Sequence, residues 1–132
     1  MSTIALTAEA TSTLRTAAYG AVSLLAAAGA PHKSVAQATI ALTSATGLVG
    51  HVLSTKSRDI HLPGKSVAEL ADHVLPALTS AIHLLNAQSP TESANFRTTV
   101  LVAVETATTA KGQPTPTVNA MARKIIESLD AA

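Results

Sequence analysis

Apolar residues recur along this chain every three or four positions, which is the spacing of amphipathic helices. In the first predicted helix, from about Ala8 to Ala28, the apolar stripe comprises Leu14, Ala18, Ala21, Leu25 and Ala28. Thr7 is placed to cap the N-terminus of this helix, and Gly29 follows its last turn, where a glycine commonly ends a helix. These signals predict one long helix near the start of the chain.

A second apolar stripe keeps strict heptad spacing. It consists of Val35, Ala38, Leu42, Ala45, Val49 and Val52, and such spacing is typical of shallow, coiled-coil-like packing. The stripe predicts a continuous second helix from Pro31 or Val35 to Thr55. Ile40 and Leu48 lie on other faces of this helix. We therefore expect these two residues to belong to an interface with another protein surface.

The third helix has the clearest start in the chain. Ser66 and Glu69 form a capping box, in which the serine hydroxyl accepts a bond from a backbone N–H three residues further on. Pro76 falls inside this helix and should kink it, because proline lacks the N–H donor and its ring clashes with the preceding turn.

The remaining two helices follow proline-containing starts. Ser89 and Glu92 repeat the capping box at the beginning of the fourth helix, and the fifth follows the connector at residues 113–116 and ends near Asp130. Residues 98–104 are rich in β-branched side chains and favour a strand by propensity alone. Since no second segment offers a convincing partner strand, we interpret this region as helix.

Five helices joined by short loops predict an all-α fold, namely a single-domain antiparallel bundle of four to five helices that spans residues 1–132. Apolar residues make up 47% of the chain and charged residues 13%, which is about half the usual charged fraction. Tyr19 and Phe96 are the only aromatic residues. So few charges on so small a protein favour a surface that is partly covered, and we expect a homo-oligomer (a dimer) or a protein partner.

Charge and composition also exclude several classes of function. The net charge of +1 argues against a nucleic-acid-binding surface, and the apolar run at residues 16–30 is too short for a membrane span. Cysteine is absent, so disulfides, zinc–thiolate sites and cysteine nucleophiles are excluded. We expect a cytoplasmic protein with no nucleic-acid or membrane partner.

The five histidines, at positions 32, 51, 61, 73 and 83, do not form a metal-binding pattern. No two of them are four residues apart, and no Glu-x-x-His pair occurs, so neither of the common helical metal motifs is present. We expect no metal and no cofactor. The sequence also lacks a glycine-flanked serine and a plausible order of acid, histidine and serine, which argues against a hydrolytic enzyme.

His51 is the histidine with the strongest functional interpretation. It lies away from the heptad stripe and should therefore be exposed, next to Gly47 and Gly50, whose bare backbone would let a second protein approach closely. The string His51-Val52-Leu53, followed by Lys56, is similar to part of the His-x-Leu-Lys-Gly signature of histidine phosphotransfer domains. It departs from that signature at positions 54 and 55, where serine and threonine replace lysine and glycine. The resemblance implies a phosphoacceptor role for His51.

Two further sites are predicted from side-chain chemistry. Lys56, Arg58, His61 and Lys65 cluster just before a helix N-terminus, a combination that binds anions. Gly64-Lys65-Ser66 resembles the end of a phosphate-binding loop, although Asp59 stands where that motif has its first glycine. A small-ligand pocket between helices is a second possibility, near the Pro76 kink and with His73 at its rim.

The function expected from these observations is that of a non-enzymatic helical bundle that acts through protein–protein association or self-association. Its alternatives are a phosphotransfer module that uses His51 and a bundle that binds a small ligand.

Overall fold

The structure, a computed structural model, describes residues 7–54, 66–109 and 115–131. These residues form six helices and no strand: α1 (Ala8–Ala27), α2 (His32–Thr43), α3 (Gly47–Ser54), α4 (Val67–Gln88), α5 (Pro90–Thr109) and α6 (Pro116–Asp130). The prediction of an all-α fold is confirmed. The number of helices in the described residues is six rather than the four to five predicted.

Three helices begin where their capping residues place them. Thr7, Ser66 and Thr115 are the N-caps of α1, α4 and α6, and each hydroxyl oxygen accepts a backbone N–H from three residues further on, at 3.0, 3.2 and 3.3 Å respectively. At the other end of α1, Gly29 has a φ of +114°, a conformation that side chains with a Cβ rarely adopt. The predicted start of α4 and both predicted ends of α1 are therefore correct to within about a residue.

Residues 98–104 lie inside α5 and are helical, as the sequence interpretation favoured over the strand alternative. Phe96, Val100, Ala103 and Ala107 on this helix are buried, and they are spaced three or four residues apart, as on one face of a helix. Burial against neighbouring helices thus outweighs the β propensity of the branched side chains, because propensity is the smaller free-energy term.

The predicted continuous second helix is wrong, since the chain breaks between α2 and α3. Gly47, the first residue of α3, has a φ of +71°. Gly50 packs so tightly that a Cβ added there would lie 2.0 Å from the carbonyl oxygen of Ala45. The heptad stripe nevertheless predicted burial well, because Ala38, Leu42, Val49 and Val52 are all buried. A spacing pattern reports which side chains face the core, but it does not require an unbroken helix between them.

The buried apolar side chains form one core cluster shared by all six helices. The pair α1 and α4 makes the most extensive helix–helix contact, followed by the pair α2 and α5, while α6 packs mainly against α4. The largest fully buried side chains include Phe96, Leu14, Leu24, Leu25, Leu42, Leu53, Leu78 and Leu85. Small residues such as Ala17, Ala18, Ala81 and Ala103 fill the space between them.

Pro76 lies inside α4, which continues for twelve residues beyond it, to Gln88. Among the described residues, none of the helices combines the length and hydropathy that a membrane crossing requires.

Candidate functional site

Two side chains of α5 hold the start of α3. The carboxylate of Glu92 accepts a bond from the backbone N–H of Val49 at 3.2 Å, and the side-chain amide of Asn95 donates to the carbonyl oxygen of Thr46 at 2.8 Å. The first N–H groups of a helix have no partner within the helix, and a carboxylate is favoured beside them. Glu92 therefore acts as an N-terminal cap for α3, although it lies more than forty residues further along the chain.

Two side chains of α1 hold the other end of α3. The Nε of Arg15 donates to the carbonyl oxygen of Val52 at 3.0 Å, and the hydroxyl of Tyr19 donates to the carbonyl oxygen of Leu53 at 2.5 Å. These carbonyls belong to the last turn, where the helix provides no donor, and a positive charge is favoured there. Arg15 is only 6% exposed. Burial raises the pKa of Tyr19, and the nearby Arg15 charge lowers it in part.

The role of Arg15 is not apparent from the sequence. A single arginine inside an apolar helix can be expected to find a buried acceptor, because an unpaired buried charge is very costly. Neither spacing nor composition shows that this acceptor is the end of α3, which lies 37 positions further on.

His51 lies on α3 and is exposed, in the last turn of that helix. The helix break places it on a short separate helix rather than midway along a long one. Gly50 beside it is buried against Ala45, so its bare backbone faces the protein itself instead of a partner. Of the two glycines that were expected to open the surface around His51, Gly50 therefore does not do so.

The predicted anion-binding cluster of Lys56, Arg58, His61 and Lys65 lies outside the described residues. Ser66, the last residue of the loop-like motif, is described and serves as the N-cap of α4.

The predicted interface residues Ile40 and Leu48 differ in exposure. Ile40 is 55% exposed on α2, whereas Leu48 is half-buried and packs against the core. Two further large apolar side chains in the described residues are exposed, Val102 on α5 at 47% and Val67 at the start of α4 at 36%. Sequence reasoning missed Val102, although its position off the buried stripe of α5 could have identified it.

A groove runs between α1 and α4, where a small-ligand pocket was predicted. Its first part has a volume of about 380 Å³ and is lined by Glu9, Ser12, Thr13, Thr16, His73, Pro76, Ala77 and Ser80. An adjoining part of about 400 Å³ shares Glu9, Thr13 and Ser80 and is completed by Thr7, Ala10 and Leu84. The structure thus brings His73 and Pro76 together with a carboxylate and several hydroxyl groups of α1.

In the three described stretches, no group of three or more His, Asp or Glu side chains is placed to hold a metal ion. Comparison of the chain with protein-family models, with curated proteins and with solved structures gives no match.

Proposed function

We propose that the protein is a non-enzymatic helical bundle that associates with a second copy of itself through the outward faces of α2 and α5. The observation that carries this proposal is the exposure of Ile40 and Val102, two large apolar side chains on helices that pack against each other. Apolar residues at the centre of a surface that is otherwise poor in charge are typical of protein–protein interfaces.

The contacts between α2 and α5 favour similar positions of Ile40 and Val102 along the axes of the two helices. The Thr46 carbonyl, just after α2, bonds Asn95 near the start of α5, which favours an antiparallel α2/α5 pair. Ile40 lies six residues before Thr46 and Val102 seven residues after Asn95, so in an antiparallel pair both lie on the same side of that bond. One partner surface could therefore cover both side chains.

The charges on these faces suit a second copy of the same chain. The exposed ionic side chains on α2 and α5 include Lys33 and Glu105, which have opposite signs. Arg97 on α5 also has a partly exposed side chain, but its charge is paired with Asp130 of α6. These charges leave little net charge on the face to repel its own copy. The other exposed residues of α5 include Thr91, Ala94, Thr98 and Thr109, which are small or neutral. Closed two-fold dimers are the most common oligomers built from identical chains.

The area of the α2–α5 face limits the expected affinity of the dimer. Two helices about 10 Å wide and about 18 and 30 Å long would cover on the order of 1,000 Å² in total over both copies, near the lower limit for specific interfaces. We therefore expect a dimer whose population rises with concentration in the micromolar range.

Sedimentation velocity over a concentration series tests the proposal. Ile40→Asp and Val102→Asp should each weaken dimerisation on the order of a hundredfold, because a symmetric dimer carries each change twice. Val67→Asp is the matched control, since it makes the same change at an exposed valine on a different helix. A wild-type chain that stays monomeric at high micromolar concentration, or equal weakening by Val67→Asp, contradicts the proposed interface.

A phosphotransfer module that uses His51 is the second candidate, and the exposure of that imidazole favours it. Incubation with phosphoramidate followed by intact-mass measurement tests this function. An acid-labile gain of one phosphoryl group that disappears in His51→Gln would support it, whereas an unchanged mass would exclude it.

A further inference from the structure

The groove between α1 and α4 has the size and the lining of a binding site, and its chemistry differs from that of the α2–α5 face. Each of its two parts lies within the volume range of small-ligand pockets, about 300–1,000 Å³. Glu9 and Ser80 line both parts, so the two form one continuous channel across the helix pair.

Among the described residues that line the groove, the titratable side chains are Glu9 and His73, and Glu9 carries a negative charge. Glu9 is exposed and lines both parts, and no described lysine or arginine lines either of them. The Arg97–Asp130 ion pair lies elsewhere, on α5 and α6, and no ion pair joins Glu9 to a described lysine or arginine. A ligand that enters this groove therefore meets a carboxylate in the first turn of α1 that is not paired with a described lysine or arginine.

The uncharged part of the lining supplies hydrogen-bond acceptors and a small apolar surface. Hydroxyl oxygens come from Thr13 on α1 and from Ser80 on α4, while Pro76 and Ala77 provide hydrocarbon. An ammonium group donates three hydrogen bonds and accepts none, so a carboxylate flanked by hydroxyl oxygens matches its requirements. The adjacent proline and alanine can cover a short hydrocarbon chain.

We infer that this groove binds a small aliphatic amine, with the ammonium group on the Glu9 carboxylate and its neighbouring hydroxyls and the hydrocarbon chain against Pro76 and Ala77. This site is independent of the proposed self-association, because it lies on α1 and α4. The groove is open to solvent along its length, so the affinity for a small amine is weak, in the millimolar range for a ligand of few atoms.

Amide chemical shifts measured during titration with butylamine test the inference. The ammonium form should produce saturable shifts at the backbone amides of Ser12, Thr13, Ala77 and Ser80. The neutral isostere 1-butanol and the anion butyrate, added at the same millimolar concentrations, should not. Absence of saturable shifts, or equal shifts with 1-butanol, overturns the inference.

Two variants separate the charge from the shape of the groove. Glu9→Gln should weaken butylamine binding at least about tenfold, because it replaces a charge-assisted bond with a neutral one. Glu127→Gln on α6 makes the same change at an exposed carboxylate outside the groove and should leave binding unchanged. Ala77→Leu should block binding by filling the groove. Unaltered affinity in Glu9→Gln overturns the assignment of the ammonium site.

Discussion

Helix α4 stays continuous although it contains a proline, whereas the α2–α3 segment breaks although it contains none. Helix α4 contains Pro76 and remains helical to Gln88. The α2–α3 segment has no proline after Pro31 and an unbroken apolar stripe, yet it breaks before Gly47.

The difference lies in where the interrupted backbone groups find partners. The carbonyl that loses its helical donor to Pro76 belongs to Asp72, which is exposed and can bond to water. At the α2–α3 break, Glu92 and Asn95 supply the missing partners from α5, and Arg15 does so at the far end of α3. Contacts from distant helices thus stabilise a break that the local sequence does not require.

The largest effect is expected from Gly50→Ala. Its Cβ would overlap the Ala45 carbonyl oxygen at 2.0 Å, and backbone atoms cannot rotate away as a side chain can. We expect a loss of about 3 kcal/mol in the free energy of unfolding, measured by urea denaturation followed by circular dichroism. Ala36→Gly, at an exposed position in the neighbouring helix, is the control and should cost about 1 kcal/mol. A smaller loss for Gly50→Ala than for this control would show that the break is not tightly packed.

Arg15→Met should have the next largest effect. Methionine keeps the length of the side chain but leaves the buried Val52 carbonyl without its donor, so we expect a loss of about 2 kcal/mol. Arg123→Met on the exposed side of α6 should change stability by less than about 0.5 kcal/mol. Equal stabilities of the two variants would mean that Arg15 does not hold the end of α3.

Tyr19→Phe should cost about 1 kcal/mol, because it removes the hydroxyl that donates to the Leu53 carbonyl. Burial raises the pKa of Tyr19 above its usual value of 10.0, so the folded state favours the neutral phenol. The resulting stability is present below pH 10 and is lost as the pH rises through the higher, folded-state pKa. Tyrosinate absorbance monitors this titration directly, since the chain has one tyrosine and no tryptophan. If stability falls equally with pH in Tyr19→Phe, another group is responsible.

Pro76→Ala should have the smallest effect, a gain of no more than about 1 kcal/mol. Alanine restores a helical hydrogen bond, which stabilises the folded state. The gain is small because the fold already accommodates the proline. It is reduced further because the unfolded chain has more conformational entropy without proline. Thermal unfolding by circular dichroism measures the change. A loss of stability would indicate that the core of α4 depends on the proline geometry.

The same contrast explains how much the sequence could predict. The starts of α1 and α4 depend on a hydroxyl and an N–H three residues apart, at Thr7 and Ser66, so both were predictable. The α2–α3 break depends on Glu92, which is 43 residues from its partner, and no local pattern contains that information. Likewise, His73 and Pro76 were expected to border a pocket, whereas the contribution of Glu9 requires knowing that α1 lies beside α4.

The abundance of alanine in the core has a thermodynamic consequence. Alanine buries less hydrocarbon than leucine or phenylalanine, and buried hydrocarbon dominates the heat-capacity change of unfolding. Alanine occupies many of the fully buried positions, among them Ala17, Ala18, Ala21, Ala38 and Ala81. The heat-capacity increment per residue should therefore lie below the usual value of about 12–15 cal/mol/K, and the curve of stability against temperature should be unusually flat.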